Sequence, residues 1–468
     1  MMTATNANGF QIISPGDGTI FAERSYASSR DLEKALAKAE QMQEPWRQVP
    51  LTERIAICGR AIDYFVDHAD AWGEELTRMM GRPIRYTPNE IRGGMQERAR
   101  SMMAMAPLVL QDIPVREMEG FQRFIRREPL GTILVLAPWN YPYLTSVNVI
   151  LPALLAGNTV LLKHAEQTAL CAERYLEAFQ AAGLPDGVFQ YLHLTHDQVA
   201  GIIANPAIDY IAFTGSVEGG KAIQAAAGQR FITAGLELGG KDPAYICADA
   251  DWDYTVENVV DGAFFNSGQS CCAIERIYVQ KEIYQDFVRD FVALTKRYLL
   301  GDPLDPATTL GPMVRIRNAR QAQEQIAAAI RQGAHPHLKA GDFPDLPLPY
   351  LAPQVLTEVN HQMDIMWTES FAPVIGIMPV QDDEEAIRLM NDSPYGLTAS
   401  IWTSNTERAL IAGDRITTGT WFMNRCDYLD PELAWTGVRN SGKGCTLSKL
   451  GYEHLTRPKS FHLKIRTS

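Results

Sequence analysis

The chain has 468 residues, 46% of them hydrophobic and 21% charged, with a formal net charge of −12. That length allows two or three domains with sizeable cores, and the acidic balance repels a phosphate backbone, so no nucleic-acid partner is expected. Seven cysteines, without a CxxC pair or Cys/His ligand spacing, point away from a disulfide framework or a metal centre and toward a reducing compartment.

In chain order, the first residues carry no basic stretch followed by an apolar core, so no secretory signal is expected. Apolar residues three and four apart predict helices over 31–46 and 51–80, the second ended by Gly81 and Pro83. A further helical run at 89–105 precedes an extended stretch at 113–129, so the first hundred residues read as helical. From Gly131 the pattern alternates: strand-length apolar runs at 132–138, 159–163, 188–194 and 209–215 are separated by helical segments such as 168–183. This alternation predicts βαβ units and a parallel sheet buried on both faces. The most apolar region, 132–162, is broken by Pro138, Asn140, Pro142, Asn148, Pro152 and Asn158, which suits a buried core and not a membrane span; a cytoplasmic protein is expected. Beyond 243, helices near 252–266, 282–298 and 315–333, with strands at 276–280, 372–380 and 397–403, read as a second α/β domain. The proline-rich stretch 341–353 reads as a surface connection.

Several segments carry side chains suited to chemistry, though each alone also has a structural reading. Cys271 and Cys272 in GQSCCA are an inert buried pair or a reactive thiol; the small Asn266–Ser267–Gly268 before them favours a loop passing close to something. Glu237, between Leu236 and Leu238 and before two glycines, is a strand-end carboxylate or a desolvated general base. Asn140 at a strand end is a turn residue or a donor to an oxyanion. The turn FTGSVEGGK (213–221) could seat a pyrophosphate at a helix N-terminus, and Lys163 and Glu166 could meet ribose hydroxyls.

Taken together, PWN (138–140), K-x-A-E (163–166), FTGS (213–216), LELGGK (236–241), GQ-x-C (268–271), E-x-F-x-P-V (369–374) and SGKG (441–444) resemble the aldehyde dehydrogenase superfamily over essentially the whole chain. The resemblance implies a Rossmann-like cofactor domain and an α/β catalytic domain, with a small β segment used for oligomerisation. It implies Cys271 as nucleophile, Asn140 as oxyanion donor and Glu237 as general base. It places Trp139, Lys163, Glu166, Gly215, Ser216, Gly220, Leu238, Glu369 and Phe371 around NAD, with NADP possible and NAD preferred because Glu166 repels a 2′-phosphate. The implied reaction oxidises an aldehyde to a carboxylic acid through a thiohemiacetal and a thioester that water hydrolyses. A CoA-acylating enzyme, or a non-catalytic protein on the same scaffold, are the alternatives.

By position, the substrate pocket draws on Tyr141, Leu144, Phe265 and Trp435, suiting an apolar or aromatic aldehyde. Arg425, Asp427 and Asp430 are read as rim charges, or as contacts for a charged tail. The resemblance maps the NAD-binding domain to 1–109 and 130–239, the catalytic domain to 240–442, and the oligomerisation segment to 110–129 and 443–468, in a homodimer or homotetramer. The sequence departs from the commoner family pattern at His164, Asp242, Ala372 and 434–444.

Overall fold

Five short strands set the first layer of the structure, a computed structural model that describes residues 8–466. Thr132–Leu136, Thr159–Lys163, Phe189–Tyr191, Tyr210–Thr214 and Thr233–Glu237 form parallel strands, closed at one edge by the antiparallel pair Gly442–Lys443. Alternate residues serve opposite cores. Ile133, Val135, Val160 and Leu162 pack toward the helices Leu51–Asp67, Pro142–Ala156 and Leu170–Ala181, whereas Leu134, Leu136, Leu161 and Ile211 join the core that includes residues of Ser29–Gln48, His196–Ala204 and Val217–Ala227. Burial on both faces is why Thr132–Leu136 and Thr159–Lys163 read as continuous apolar runs. The strand order reverses between Thr132–Leu136 and Tyr210–Thr214, so their carboxyl ends diverge and leave a crevice, the usual ligand position in such sheets.

The second layer is a seven-stranded sheet in which His335–Pro336 is antiparallel and the rest are parallel: Gln354–Thr357, Val374–Val380, Ile274–Gln280, Asp242–Ile246, Thr398–Trp402 and Thr420–Met423, in that spatial order. A third, antiparallel sheet joins Ile113–Pro114, Phe121–Pro129 and Thr456–Lys464, the last two registered from Thr456 against Pro129 to Lys464 against Phe121. Among the described residues no helix is long and apolar enough to cross a membrane, and all seven cysteines are free thiols.

Four features differ from the sequence reading. The expected helix 51–80 is two helices, Leu51–Asp67 and Ala69–Met80, broken at His68, with Gly81 left-handed at its end. The run at 89–105 opens with a wider π-type turn, Glu90–Met95, before Gln96–Val109. Gly9–Ile13 and Ile20–Ser25 form an antiparallel hairpin where helix was read. The boundary placed at 442/443 also shifts: Gly442 and Lys443 pair with Glu237 and Leu236, and Trp435, Leu447, Tyr452 and Leu455 lie in the core beneath the first sheet. Only Thr456–Lys464 of the C-terminal stretch belongs to the small antiparallel sheet.

Candidate active site

Cys271 stands after three successive left-handed residues, Asn266 (φ 54°), Ser267 (φ 56°) and Gly268 (φ 67°). Such a run is costly for L-residues, so it persists only where other contacts fix it. Here the Ser267 hydroxyl donates to the Gly311 carbonyl at 2.8 Å, the Asn266 amide donates to the Gln269 carbonyl, and the Gln269 amide returns a bond to Asn266. Gln269 also accepts from the Val314 N–H at 2.8 Å. A Cβ on Gly268 would lie 2.3 Å from the Ala372 carbonyl oxygen, which accounts for the glycine. The loop therefore does pass close to a neighbour, as its small residues suggested. Cys271 is half-buried, while Cys272 is 2% exposed and its thiol donates to the Asp427 carboxylate at 2.9 Å. The neighbouring Cys271 thiol, burial and the Asp427 charge together push the Cys272 thiol well above its usual range. Of the two, Cys271 is the accessible one.

Asn140 is 7% exposed, and its side-chain amide has no protein partner among the described residues. Its backbone is gripped instead. Arg82 Nη2 donates to the Asn140 carbonyl at 2.9 Å and to Glu90 at 2.6 Å, and the Arg82 and Glu90 side chains are 2% and 0% exposed. Glu90 in turn accepts from the N–H groups of Tyr143 and Leu144 at 2.8 and 3.0 Å, the first turn of helix Pro142–Ala156. A carboxylate there satisfies donors that the helix cannot. The widened turn that carries Glu90 thus holds the strand end and helix start on either side of Asn140.

Glu237 ends its strand half-buried, with Thr214 donating to Oε2 at 2.9 Å and Thr446 to Oε1 at 2.5 Å. Burial raises its carboxyl above the ordinary range, and the two hydroxyls pull it back. The next residues explain the double glycine: a Cβ on Gly239 would meet the Glu369 carboxylate at 2.1 Å, and one on Gly240 the Cys271 carbonyl oxygen at 2.9 Å. This close approach brings Glu237, Cys271 and Glu369 to one neighbourhood. Trp139 joins it, its ring 5.6 Å from Phe371 in an edge arrangement.

The remaining cofactor candidates line the crevice of the first sheet. Ser216 caps helix Val217–Ala227, accepting from the Gly219 N–H at 3.2 Å, with Gly215 before it and Gly220 packed under Leu238. Lys163 is half-buried, its amine lowered chiefly by burial, and it makes no ion pair among the described residues. Glu166 accepts from the Tyr26 hydroxyl at 2.7 Å. Glu369 accepts from the Gly240 N–H at 3.0 Å, and burial, reinforced by Glu275, raises its carboxyl to about 8. A capped helix start, an uncommitted cation, a carboxylate just past strand Thr159–Lys163 and another in the loop before Val374–Val380 fit a dinucleotide. The segment carrying Glu369 and Phe371 is itself clamped. Glu275 accepts from the N–H groups of Ser370 and Phe371 at 2.8 and 2.9 Å, and pairs with buried Lys241 at 2.5 Å. Phe371 is left-handed at φ 50°.

The substrate candidates divide. Phe265 is half-buried and meets the Tyr86 ring at 5.1 Å, Tyr141 lies under Arg82 at 4.6 Å, and the half-buried Leu144 faces Gly94. Trp435 is 4% exposed, cross-bridged to Thr446 through backbone bonds, and serves the wall behind Glu237. Of the three expected rim charges, Arg425 is exposed and stacks on Tyr428 at 3.6 Å. Asp427 is a correction: its chain turns left-handed at φ 46°, and its carboxylate bonds Ser270 and Cys272, directly behind the loop that carries Cys271. Arg82, Glu90, Glu275 and Thr446 were not singled out from sequence, while Thr214 and Lys241 were present only as members of FTGS and LELGGK. The departures also find places. Asp242 accepts from the Thr398 N–H and hydroxyl, stapling two central strands, and His164 is buried and held neutral, its ring pushed down to about 3 by burial.

A sequence model of the aldehyde dehydrogenase family matches residues 2–461. A succinate-semialdehyde dehydrogenase [NADP(+)] of Deinococcus radiodurans is 33% identical over 96% of this chain and 94% of its own length, and a succinate semialdehyde dehydrogenase [NAD(P)+] of Escherichia coli is 34% identical over 96% and 97%. Among solved structures, succinic semialdehyde dehydrogenase from Streptococcus pyogenes with NADP+ superimposes with a TM-score of 0.92 at 29% identity, covering 97% of this chain and 100% of that one. Betaine aldehyde dehydrogenase from Staphylococcus aureus with NAD+ gives 0.93 at 26% identity, covering 99% and 93%. The mixed α/β architecture and the motif order agree with these matches, and the chain belongs to the aldehyde dehydrogenase family, enzymes that use NAD(P) to oxidise an aldehyde to its acid.

Proposed function

We propose that this enzyme works hydrolytically, through a thioester on Cys271 that Glu237 clears with water. The observation that carries the reading is the meeting of Glu237, Gly240 and the Cys271 backbone at one strand end, with a half-buried thiol and a carboxyl held above its usual range. The Cys271 thiolate adds to the aldehyde carbon, and the oxyanion takes hydrogen bonds from the Asn140 amide and the Cys271 N–H. Bound NAD(P), held by Lys163, Glu166, Ser216, Glu369 and Phe371, supplies the hydride acceptor. Water then adds to the thioester carbon while Glu237 takes its proton; the C–S bond breaks and the thiolate returns. Desolvation makes Glu237 a stronger base than an exposed glutamate, which suits that step. A CoA-acylating enzyme has no use for it. In Glu237→Gln, rapid mixing of aldehyde and NAD should give a full burst of NADH followed by stalled turnover, and CoA should not accelerate the native enzyme. Steady turnover by that variant refutes the reading.

The walls offered by Tyr86, Tyr141, Leu144 and Phe265 favour an apolar or aromatic aldehyde. A second reading, an aldehyde with a carboxylate tail, is favoured by the two succinate-semialdehyde relatives and by Arg98. This guanidinium is 5% exposed, bonds only Leu144 O and Asn148 through Nη1, and has no carboxylate partner among the described residues. An aldehyde panel with both cofactors separates the two; Glu166 favours NAD over NADP. We propose the segments Phe121–Pro129 and Thr456–Lys464 as the contact of a homodimer or homotetramer, checked by mass in solution.

A further inference from the structure

Two adjacent thiols leave a question that the chemistry at Cys271 does not settle, namely where the proton of the second one goes. Two acceptors lie within reach of the Cys272 S–H: the Asp427 carboxylate, which takes it at 2.9 Å, and the Cys271 sulfur beside it. A hydrogen bond given to a thiolate stabilises the anion and blunts its attack, because nucleophilicity falls with basicity. Cys272 is 2% exposed and Ser270 3%, so neither can turn to solvent for a partner. Both donate to the same oxygen, Asp427 Oδ1, Ser270 Oγ from 2.8 Å.

Asp427 is aimed at this point by contacts that involve neither donor. On one side, Cys426 packs against Gly262 of helix Trp252–Phe264, where a Cβ would lie 2.5 Å from its sulfur. On the other, the Tyr428 hydroxyl donates to Glu97 of helix Gln96–Val109 at 2.7 Å. Between these anchors Asp427 is left-handed at φ 46°, a conformation that persists only where the surroundings impose it. Burial raises its carboxyl, while the Cys272 and Ser270 bonds and the nearby Arg98 and Arg82 guanidiniums favour the charged form.

We propose that Asp427 is a positioning residue for the reacting sulfur: it draws the Cys272 S–H away from Cys271, so that the Cys271 thiolate meets the aldehyde unencumbered. The inference rests on Cys271 being the nucleophile. In this role Asp427 acts only through Cys272. Ser270 serves the same end by filling a second lone pair of Oδ1, which fixes the carboxylate where Cys272 finds it. The carboxylate therefore matters to the first chemical step only while Cys272 has a proton to offer. Where residue 272 has no S–H, the loss of Asp427 leaves the attack on the aldehyde unchanged.

That dependence is read by a double-variant cycle on the full-length enzyme, with the rate of the NADH burst after rapid mixing with NAD and a good aldehyde as the signal. Asp427→Gly removes the carboxylate and keeps the left-handed turn, which glycine adopts freely. It should slow the burst on the order of tenfold, the worth of one hydrogen bond to a charged group. Asp427→Asn keeps a neutral acceptor oxygen and should lose much less. Cys272→Ala should leave the burst near native, and in that background neither Asp427→Gly nor Asp427→Asn should slow it further. A merely structural role for Asp427 would cost the same with and without Cys272. Should the glycine variant not fold, the asparagine arm of the cycle carries the same comparison. If Cys271→Ser still gives a burst, the reading of the nucleophile fails and this inference with it. If that variant gives none, but the Asp427 variants leave the burst at the native rate or slow it equally in both backgrounds, the positioning role alone is overturned.

Discussion

Removing the Glu90 carboxylate tests how much of the site rests on one buried ion pair. The Arg82 and Glu90 side chains are 2% and 0% exposed and meet at 2.6 Å. Deleting one partner of such a pair leaves an uncompensated buried charge and costs about 3–5 kcal/mol. Glu90→Leu also strips an acceptor from the N–H groups of Tyr143 and Leu144, so the upper part of that range applies. For a folding unit of a few hundred residues, about 2–4 °C of Tm accompanies each kcal/mol, and the single variant should melt about 10 °C or more below the native enzyme. The double variant Arg82→Met/Glu90→Leu carries no stranded charge and should regain a good part of that loss. Because Arg82 also holds the Asn140 carbonyl, the folded double variant should still have a low kcat while Cys271 is alkylated by iodoacetamide at the native rate. Urea unfolding with circular dichroism, run beside steady-state kinetics, reads both effects. A single variant within about 1 kcal/mol of native, or a double variant as unstable as the two singles summed, refutes the reasoning.

Asn140→Ala should lower kcat by on the order of a hundredfold, the cost of one oxyanion donor at about 3 kcal/mol, with NAD binding unchanged by fluorescence titration. Cys271→Ser should abolish aldehyde oxidation, whereas Cys272→Ser should retain most of it; the reverse pattern in the assay exchanges their roles. Glu369 is protonated in the folded protein up to about pH 8, raised by burial and by Glu275. The folded chain therefore binds a proton that the unfolded chain releases near the ordinary carboxylate pKa, so its contribution to stability falls as pH rises toward 8 and then levels. NAD affinity should move the other way, strengthening through about pH 8 as the carboxylate becomes a full acceptor for ribose hydroxyls. Glu369→Gln should flatten both profiles, measured by unfolding and by titration, and a native profile already flat contradicts this.

Much of the frame was legible because parallel strands buried on both faces cannot alternate with polar residues. The runs at 132–136, 159–163 and 210–214 stood out for that reason, and the helices between them followed. Strands such as Asp242–Ile246 and Thr420–Met423 were hidden, the first by Asp242 and Pro243, whose polarity and missing donor disguise a central strand. At the site, Cys271, Glu237 and Asn140 were visible through motif order, yet what holds them was not. Arg82 grips Asn140 from 58 positions away, and Asp427 reaches Ser270 from 157. Contacts at such separations leave no local pattern. Trp435 shows the same limit, since its aromatic character was legible but its burial behind Glu237 was not.

The left-handed run at Asn266–Gly268 has a consequence for how this enzyme can diversify. The geometry under Cys271 is written in the main chain and pinned by its own amides and a glycine in contact with Ala372, so side-chain exchange there risks the loop before it alters preference. The neighbouring wall is built differently, from the side chains of Tyr86, Tyr141 and Phe265. New aldehydes are therefore best sought by randomising that wall while the loop under Cys271 stays untouched, an anvil that keeps its shape whatever is laid on it.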